Sequence, residues 1–206
     1  MKIINNKYTR FIYNKMLGLT PKKNNKTYGF KFKENPDTKA SGYEFFIDKD
    51  NLLIRLSDKY KPTKRIHNYL IYYWNNFRDI RCSVKNVLEI GVQTGNSLLL
   101  WEEFFPNADV YGIDIDPQCK KLESGRKKIR IGDQSDDQFL QEVVTDAGGY
   151  FDIIIDDGSH RPLHQLGSFN YLFPYLSEDG IYVIEDTGGC TGDFQLLCSK
   201  FTKKVD

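Results

Sequence analysis

A doubly wound, mostly parallel α/β sheet is the fold this sequence predicts, and three observations predict it. Short, nearly continuous apolar runs alternate with helix-like segments between residues 84 and 184. The first run ends in a glycine loop that opens directly into a helix, and acidic residues recur where later runs end. Strands buried on both faces read as unbroken apolar stretches, and in this layout ligands sit at the carboxyl ends of the strands.

The elements follow in order. Residues 1–56 are rich in Lys and Asn, are broken by Pro21 and Pro36 and lack sustained periodicity, so a partly ordered N-terminal extension without chemistry is expected. Residues 57–206 are expected to form the α/β domain. From Lys64 to Phe77, Ile66, Tyr69, Leu70, Tyr73 and Trp74 recur at three- and four-residue intervals, which predicts an amphipathic helix packed on the sheet. Val84–Ile90 is the first strand of the alternating series and Asn96–Phe105 the helix after it, stopped by Pro106. Asp109–Ile115 and Ile129–Ile131 are the next strands, Gln138–Thr145 a helix, and Phe151–Ile155 the fourth strand. A helix over Leu163–Leu176, distorted by Pro174, leads to the fifth strand, Gly180–Ile184.

Composition narrows the function. The chain has 206 residues, 40% of them hydrophobic, enough for one domain with a sizeable core. With Lys+Arg 29 against Asp+Glu 28 the net charge is +1, so no overall field draws it to nucleic acid or to a membrane. No run of about 18 apolar residues and no signal-peptide h-region is visible. Cys82, Cys119, Cys190 and Cys198 have neither a CxxC pair nor regular spacing, as expected of reduced thiols in a cytoplasmic protein. Whether the chain forms a homo-oligomer is left open by these observations.

The segment EIGVQTGNS, Glu89–Ser97, runs from strand to helix. Gly91 and Gly95 allow a tight turn and close approach of a ligand to the backbone, but Gln93 and Asn96 stand where a dinucleotide fingerprint has its other glycines. A nucleoside without a pyrophosphate, such as S-adenosylmethionine, is the better guest. Asp114, ending the next strand, is placed to accept ribose hydroxyls, and Asp133 in GDQSD to accept from the adenine amino group; capping of the following helix is the structural alternative for Asp133. The expected cofactor residues are Glu89, Gly91, Gly95, Ser97, Asp114 and Asp133.

Two strand ends are dense in acids: IDDGSH, Ile155–His160, and IEDT, Ile184–Thr187. Converging Asp157, Glu185 and Asp186 would repel one another unless a cation neutralised them, and all-oxygen ligation suits Mg²⁺, with Mn²⁺ or Ca²⁺ less so. A hydroxyl acceptor needs its proton removed, and an imidazole accepts one near neutral pH. His160 is the expected base, with His164 a helix-face or substrate-contact residue.

These motifs, VLEIGVQTGNS, DVYGIDID, GDQSDD, FDIIIDDGSH and DGIYVIEDT, resemble the metal-dependent class I methyltransferases that O-methylate deoxysugars of macrolides and other glycosides, a pattern shared by cephalosporin-hydroxylase-like proteins. The resemblance spans roughly Ser57 to Thr187. It implies a Rossmann-like fold, Mg²⁺ on Asp157, Glu185 and Asp186, and His160 as base. Upstream, Asp58, Lys59, His67 and Tyr69 resemble a further family segment at longer spacing and are not assigned to the site. Only about 20 residues follow Thr187, too few for the two edge strands usual in this class, so the sheet is expected to be shortened there, by truncation, as a naturally short variant, or with its edge covered by the N-terminal segment or another subunit. The expected reaction is Mg²⁺-dependent methyl transfer to a hydroxyl oxygen of a small-molecule or sugar acceptor. The alternatives are a hydroxylase-like tailoring enzyme, with iron on His160, His164 and Asp157, and a cofactor-binding subunit without turnover.

Overall fold

A computed structural model describes residues 2–5, 12–13, 30–34, 41–45, 51–65 and 69–186. His67, Thr187, Cys190 and Cys198 lie outside these residues. Near the N-terminus, β1 (Lys2–Asn5) and β2 (Ile12–Tyr13) precede a separate antiparallel hairpin of β3 (Phe30–Glu34) and β4 (Ser41–Phe45). Next comes α1 (Leu52–Tyr60), capped by the Asn51 side chain, which accepts from the Ile54 amide at 3.2 Å, and closed by Lys61 in the left-handed region before Pro62. This helix spans the boundary expected at residue 57 and carries Leu53 and Leu56 into the core.

The predicted helix over 64–77 is found over part of that span, and residues 66–68 lie outside those described. Thr63–Arg65 form one turn of 3-10 helix, and α2 begins at Leu70 and runs to Phe77. A continuous amphipathic helix would have left the Lys64 ammonium on its solvent side. Here that ammonium is buried at the end of the sheet, as described below.

The alternating series then appears as expected: β5 (Asn86–Ile90), α3 (Asn96–Phe104), β6 (Asp109–Asp114), β7 (Lys127–Ile131), α4 (Asp137–Asp146), β8 (Phe151–Asp156), α5 (Pro162–Leu172) and β9 (Leu176–Ile184). Pro174 sits in a 3-10 turn, Phe173–Tyr175, so α5 stops earlier than predicted and β9 starts earlier. The sheet order is β2-β1-β9-β8-β5-β6-β7, parallel from β9 to β7 and antiparallel where β1 joins β9. Lys2 to Asn5 pair with Ile184 to Ile181, so the N-terminal segment lies beside β9 in the sheet.

Side chains alternate along each strand and supply two cores. Val87, Val110, Ile153 and Val183 face α1, α2 and α3, where Tyr73, Phe77, Trp101, Phe104 and Phe105 interlock. The Phe104 and Phe105 rings meet edge to face, 4.9 Å apart at 81°, a geometry worth about 0.5–1.5 kcal/mol beyond area burial. Leu88, Ile90, Tyr111, Ile154 and Tyr182 face α4 and α5 on the other side. With helices on both faces, polar groups reach solvent mainly at strand ends. The ladders pair Ile90 with Ile113 and Asp156, and Asp156 with Ile184, so the residues that follow β5, β8 and β9 leave the sheet at one edge.

Candidate functional site

The loop after β5 is shaped by its neighbours. Gly91 has φ +94, and a Cβ there would lie 2.3 Å from the Asp157 carbonyl oxygen, so a glycine is required for the two loops to touch. Gly95 (φ +74) turns the chain into α3. Asp114 organises this loop: one carboxylate oxygen accepts from the amides of Val92 (2.8 Å) and Gln93 (2.9 Å), the other from Asp116 (2.9 Å). Burial pushes the Asp114 carboxyl up, but these backbone donors outweigh it and hold it below the ordinary carboxylate value. Behind the loop the buried Glu89 accepts from the Ser97 hydroxyl at 2.7 Å.

At the other strand ends, carboxylates converge on a lysine. Lys64 Nζ lies 2.6 Å from Asp157 Oδ2, 2.8 Å from Glu185 Oε1 and 2.9 Å from Glu89 Oε1. Burial alone would push this ammonium down, but the surrounding carboxylates of Glu185, Glu89 and Asp157 hold it well above the ordinary lysine value. Glu185 also accepts from the Tyr73 hydroxyl, and burial pushes its carboxyl up to about 7 against the pull of Lys64. Burial likewise raises Glu89. Asp186 faces the cavity rather than the core and accepts from the Tyr69 hydroxyl at 2.7 Å.

Ligand atoms of Asp157, His160 and Asp186 lie within 4.8 Å of one another. His160 Nε2 stands 3.8 Å from Asp186 Oδ2. His164 lines the same cavity outside this group, with Nδ1 3.2 Å from the Ser159 hydroxyl. The loop is anchored by Gln134, whose amide donates to the Ser168 hydroxyl and the Asp156 carboxylate while its carbonyl accepts from the Ser159 amide at 2.7 Å. Asp156, fully buried, has its carboxyl pushed up to about 6 by desolvation. Gln93 (φ 49), His160 (φ 55) and Asp186 (φ 48) all hold left-handed backbone conformations and all line one cavity. Such strain, on the order of 1–3 kcal/mol per residue, gathers at functional sites.

That cavity is about 860 Å³ and is walled by the glycine loop, Asp114–Asp116, Gly132–Gln134, Asp157–Arg161 and Glu185–Asp186. Its size suits a nucleoside with room for a second molecule. The donor set at its far end fits a hard divalent cation: Asp157, Glu185 and Asp186 bring more negative charge than Lys64 offsets.

Of the predicted residues, the structure brings Gly91, Ser97, Asp114, Asp133, Asp157, His160, Glu185 and Asp186 to this cavity. Two departures stand out. Glu185 is turned into the core toward Lys64 and Tyr73, and His160 takes its place in the open cluster with Asp157 and Asp186. Asp133 accepts from the Ser135 amide and hydroxyl, whereas the cap of α4 is Asp136, bonded to the Gln138 amide at 2.9 Å. The grouping of His160, His164 and Asp157 expected for iron is not formed, since Asp186 rather than His164 joins the other two. Sequence reasoning missed Lys64, Tyr73 and Gln134. Lys64 sits in a basic stretch that reads as solvated surface, and Tyr73 reads as one more core aromatic.

Residues 88–187 match a family model described as a methyltransferase domain. The chain is 41% identical over 143 residues to mycinamicin VI 2''-O-methyltransferase of Micromonospora griseorubida, which covers 65% of this chain and 35% of that protein. It is 39% identical over 128 residues to 8-demethyl-8-alpha-L-rhamnosyl tetracenomycin-C 2'-O-methyltransferase of Streptomyces olivaceus, covering 59% of this chain and 33% of that protein. The solved MycE methyltransferase from the mycinamycin biosynthetic pathway, in complex with Mg and SAH, is similar with a TM-score of 0.65 and 35% identity, over 75% of this chain and 48% of that one. The chain thus spans less than half the length of these relatives. Residues 88–187 are thus similar to a methyltransferase domain, and the chain to the O-methyltransferases that its motifs resemble.

Proposed function

We propose that this chain transfers a methyl group from S-adenosylmethionine to a hydroxyl oxygen of a sugar or glycosylated small molecule, with Mg²⁺. The observation that carries the reading is the single cavity in which the glycine loop, Asp114, the Asp157–His160 loop and the β9 acids meet. The likeness to MycE, solved with Mg and SAH, supports the same guests here.

When bound, S-adenosylmethionine supplies a methyl group on a positively charged sulfur, and Mg²⁺ supplies Lewis-acid polarisation of the acceptor oxygen. The cofactor side is Glu89, Gly91, Gly95, Ser97, Asp114 and Asp133, with Asp114 toward the ribose and Asp133 toward the adenine amino group. Asp157 and Asp186 hold the cation, with Glu185 the third carboxylate. His160 would accept the proton of the acceptor hydroxyl as that oxygen is methylated. Unbridged Cys82 and Cys119, and the lack among the described residues of any helix long and apolar enough to cross a membrane, are in keeping with action in the cytoplasm.

Labelled S-adenosylmethionine, Mg²⁺ and a panel of glycosides, with a chelator control, test the reading. Label should enter a glycoside only with the metal present. Binding of cofactor and metal without transfer to any glycoside or small alcohol would leave a binding subunit and overturn the enzymatic reading.

A further inference from the structure

The acids proposed for the metal site are held from behind by side chains that precede β5, outside residues 88–187: Lys64 on Asp157 and Glu185, Tyr73 on Glu185, and Tyr69 on Asp186. Of these, Lys64 reaches furthest. Its ammonium carries three N–H donors and sits within 2.9 Å of three carboxylates, one each from the ends of β5, β8 and β9. The side chain is 1% exposed, so its ion pairs are shielded from bulk water. Glu89, its β5 partner, is bonded in turn to Ser97 in the first turn of α3, where the cofactor loop ends. Asp157 is engaged through Oδ2 and still stands in the open cluster with His160 and Asp186.

Resting on the metal reading above, we infer that Lys64 is a positioning residue for the metal site: its ammonium fixes the Asp157 and Glu185 carboxylates and ties them to Glu89 on the cofactor side. Orientation and charge make opposite demands. An ammonium acting only through its charge repels a second cation, so its loss would tighten metal binding. An ammonium that orients the ligands weakens metal binding when it is lost, by about 10- to 100-fold, as for other groups that orient metal-binding side chains.

The test is Mn²⁺ titration of the full chain, followed by electron paramagnetic resonance, with S-adenosylhomocysteine affinity by calorimetry and circular dichroism as controls. Native protein should bind Mn²⁺ and Asp157→Ala should not; failure of that arm sinks the metal reading itself. Lys64→Met should bind Mn²⁺ about 10- to 100-fold more weakly and broaden the bound-ion spectrum, while still binding S-adenosylhomocysteine. If the single variant does not fold, Lys64→Met with Glu89→Gln removes one buried charge of each sign, and its Mn²⁺ affinity should fall likewise. Equal or tighter Mn²⁺ binding in either folded variant, with native binding intact, would overturn the inference alone.

Discussion

His160 occupies a left-handed backbone position (φ 55) beside Asp157 and Asp186, which decides how its role is best tested. Alanine would keep the strain, whereas asparagine tolerates this region and removes the imidazole cleanly. His160→Asn should lower turnover by about 10²- to 10⁴-fold with cofactor and Mn²⁺ affinities nearly unchanged, as loss of a general base does. A parallel fall in Mn²⁺ affinity would make His160 a ligand rather than the base. Asp157→Ala should erase the Mg²⁺-dependent rise in melting temperature, a stabilisation of about 2.7 kcal/mol when Mg²⁺ is at 100 times its dissociation constant. The acids were legible because they end apolar strands, where a doubly wound sheet puts its ligands. Lys64 was not, because burial of a lysine depends on partners 25 to 121 positions away in Glu89, Asp157 and Glu185.

Among elements, the β5–loop–α3 unit was the most legible, since its glycines, apolar run and Pro106 each mark a boundary locally. What the glycines accommodate was not legible: Gly91 faces the Asp157 backbone, not only a ligand. Gly91→Ala therefore combines a prohibited φ with a contact of 2.3 Å, and should push the two loops apart. The expected cost is on the order of 1–3 kcal/mol in urea denaturation, with loss of S-adenosylhomocysteine binding by calorimetry. The segment over 64–77 shows the opposite case. Its helical period is real for α2, yet Lys64, paired with three carboxylates, lies in a separate 3-10 turn, a tertiary setting that periodicity cannot register.

For the whole molecule, the alternation of strands and helices predicted the parallel sheet and its two covered faces. The strand beside β9, β1, has no distinctive signal in a Lys- and Asn-rich stretch. Removing residues 1–13 should bare the β9 backbone, and the shortened protein is expected to self-associate at concentrations where the native chain scatters no excess light. Unchanged scattering would mean that another part of the chain protects that edge.

The antiparallel pairing of β1 with β9 also sets a schedule. β1 has its partner at Ile181–Ile184, next to the acids of the site, so it waits for nearly all the described chain to be synthesised before it can dock. Pairing across so long a separation is slow to nucleate. The sheet edge beside the metal-binding acids is thus completed late, after the glycine loop and α3 have had time to form.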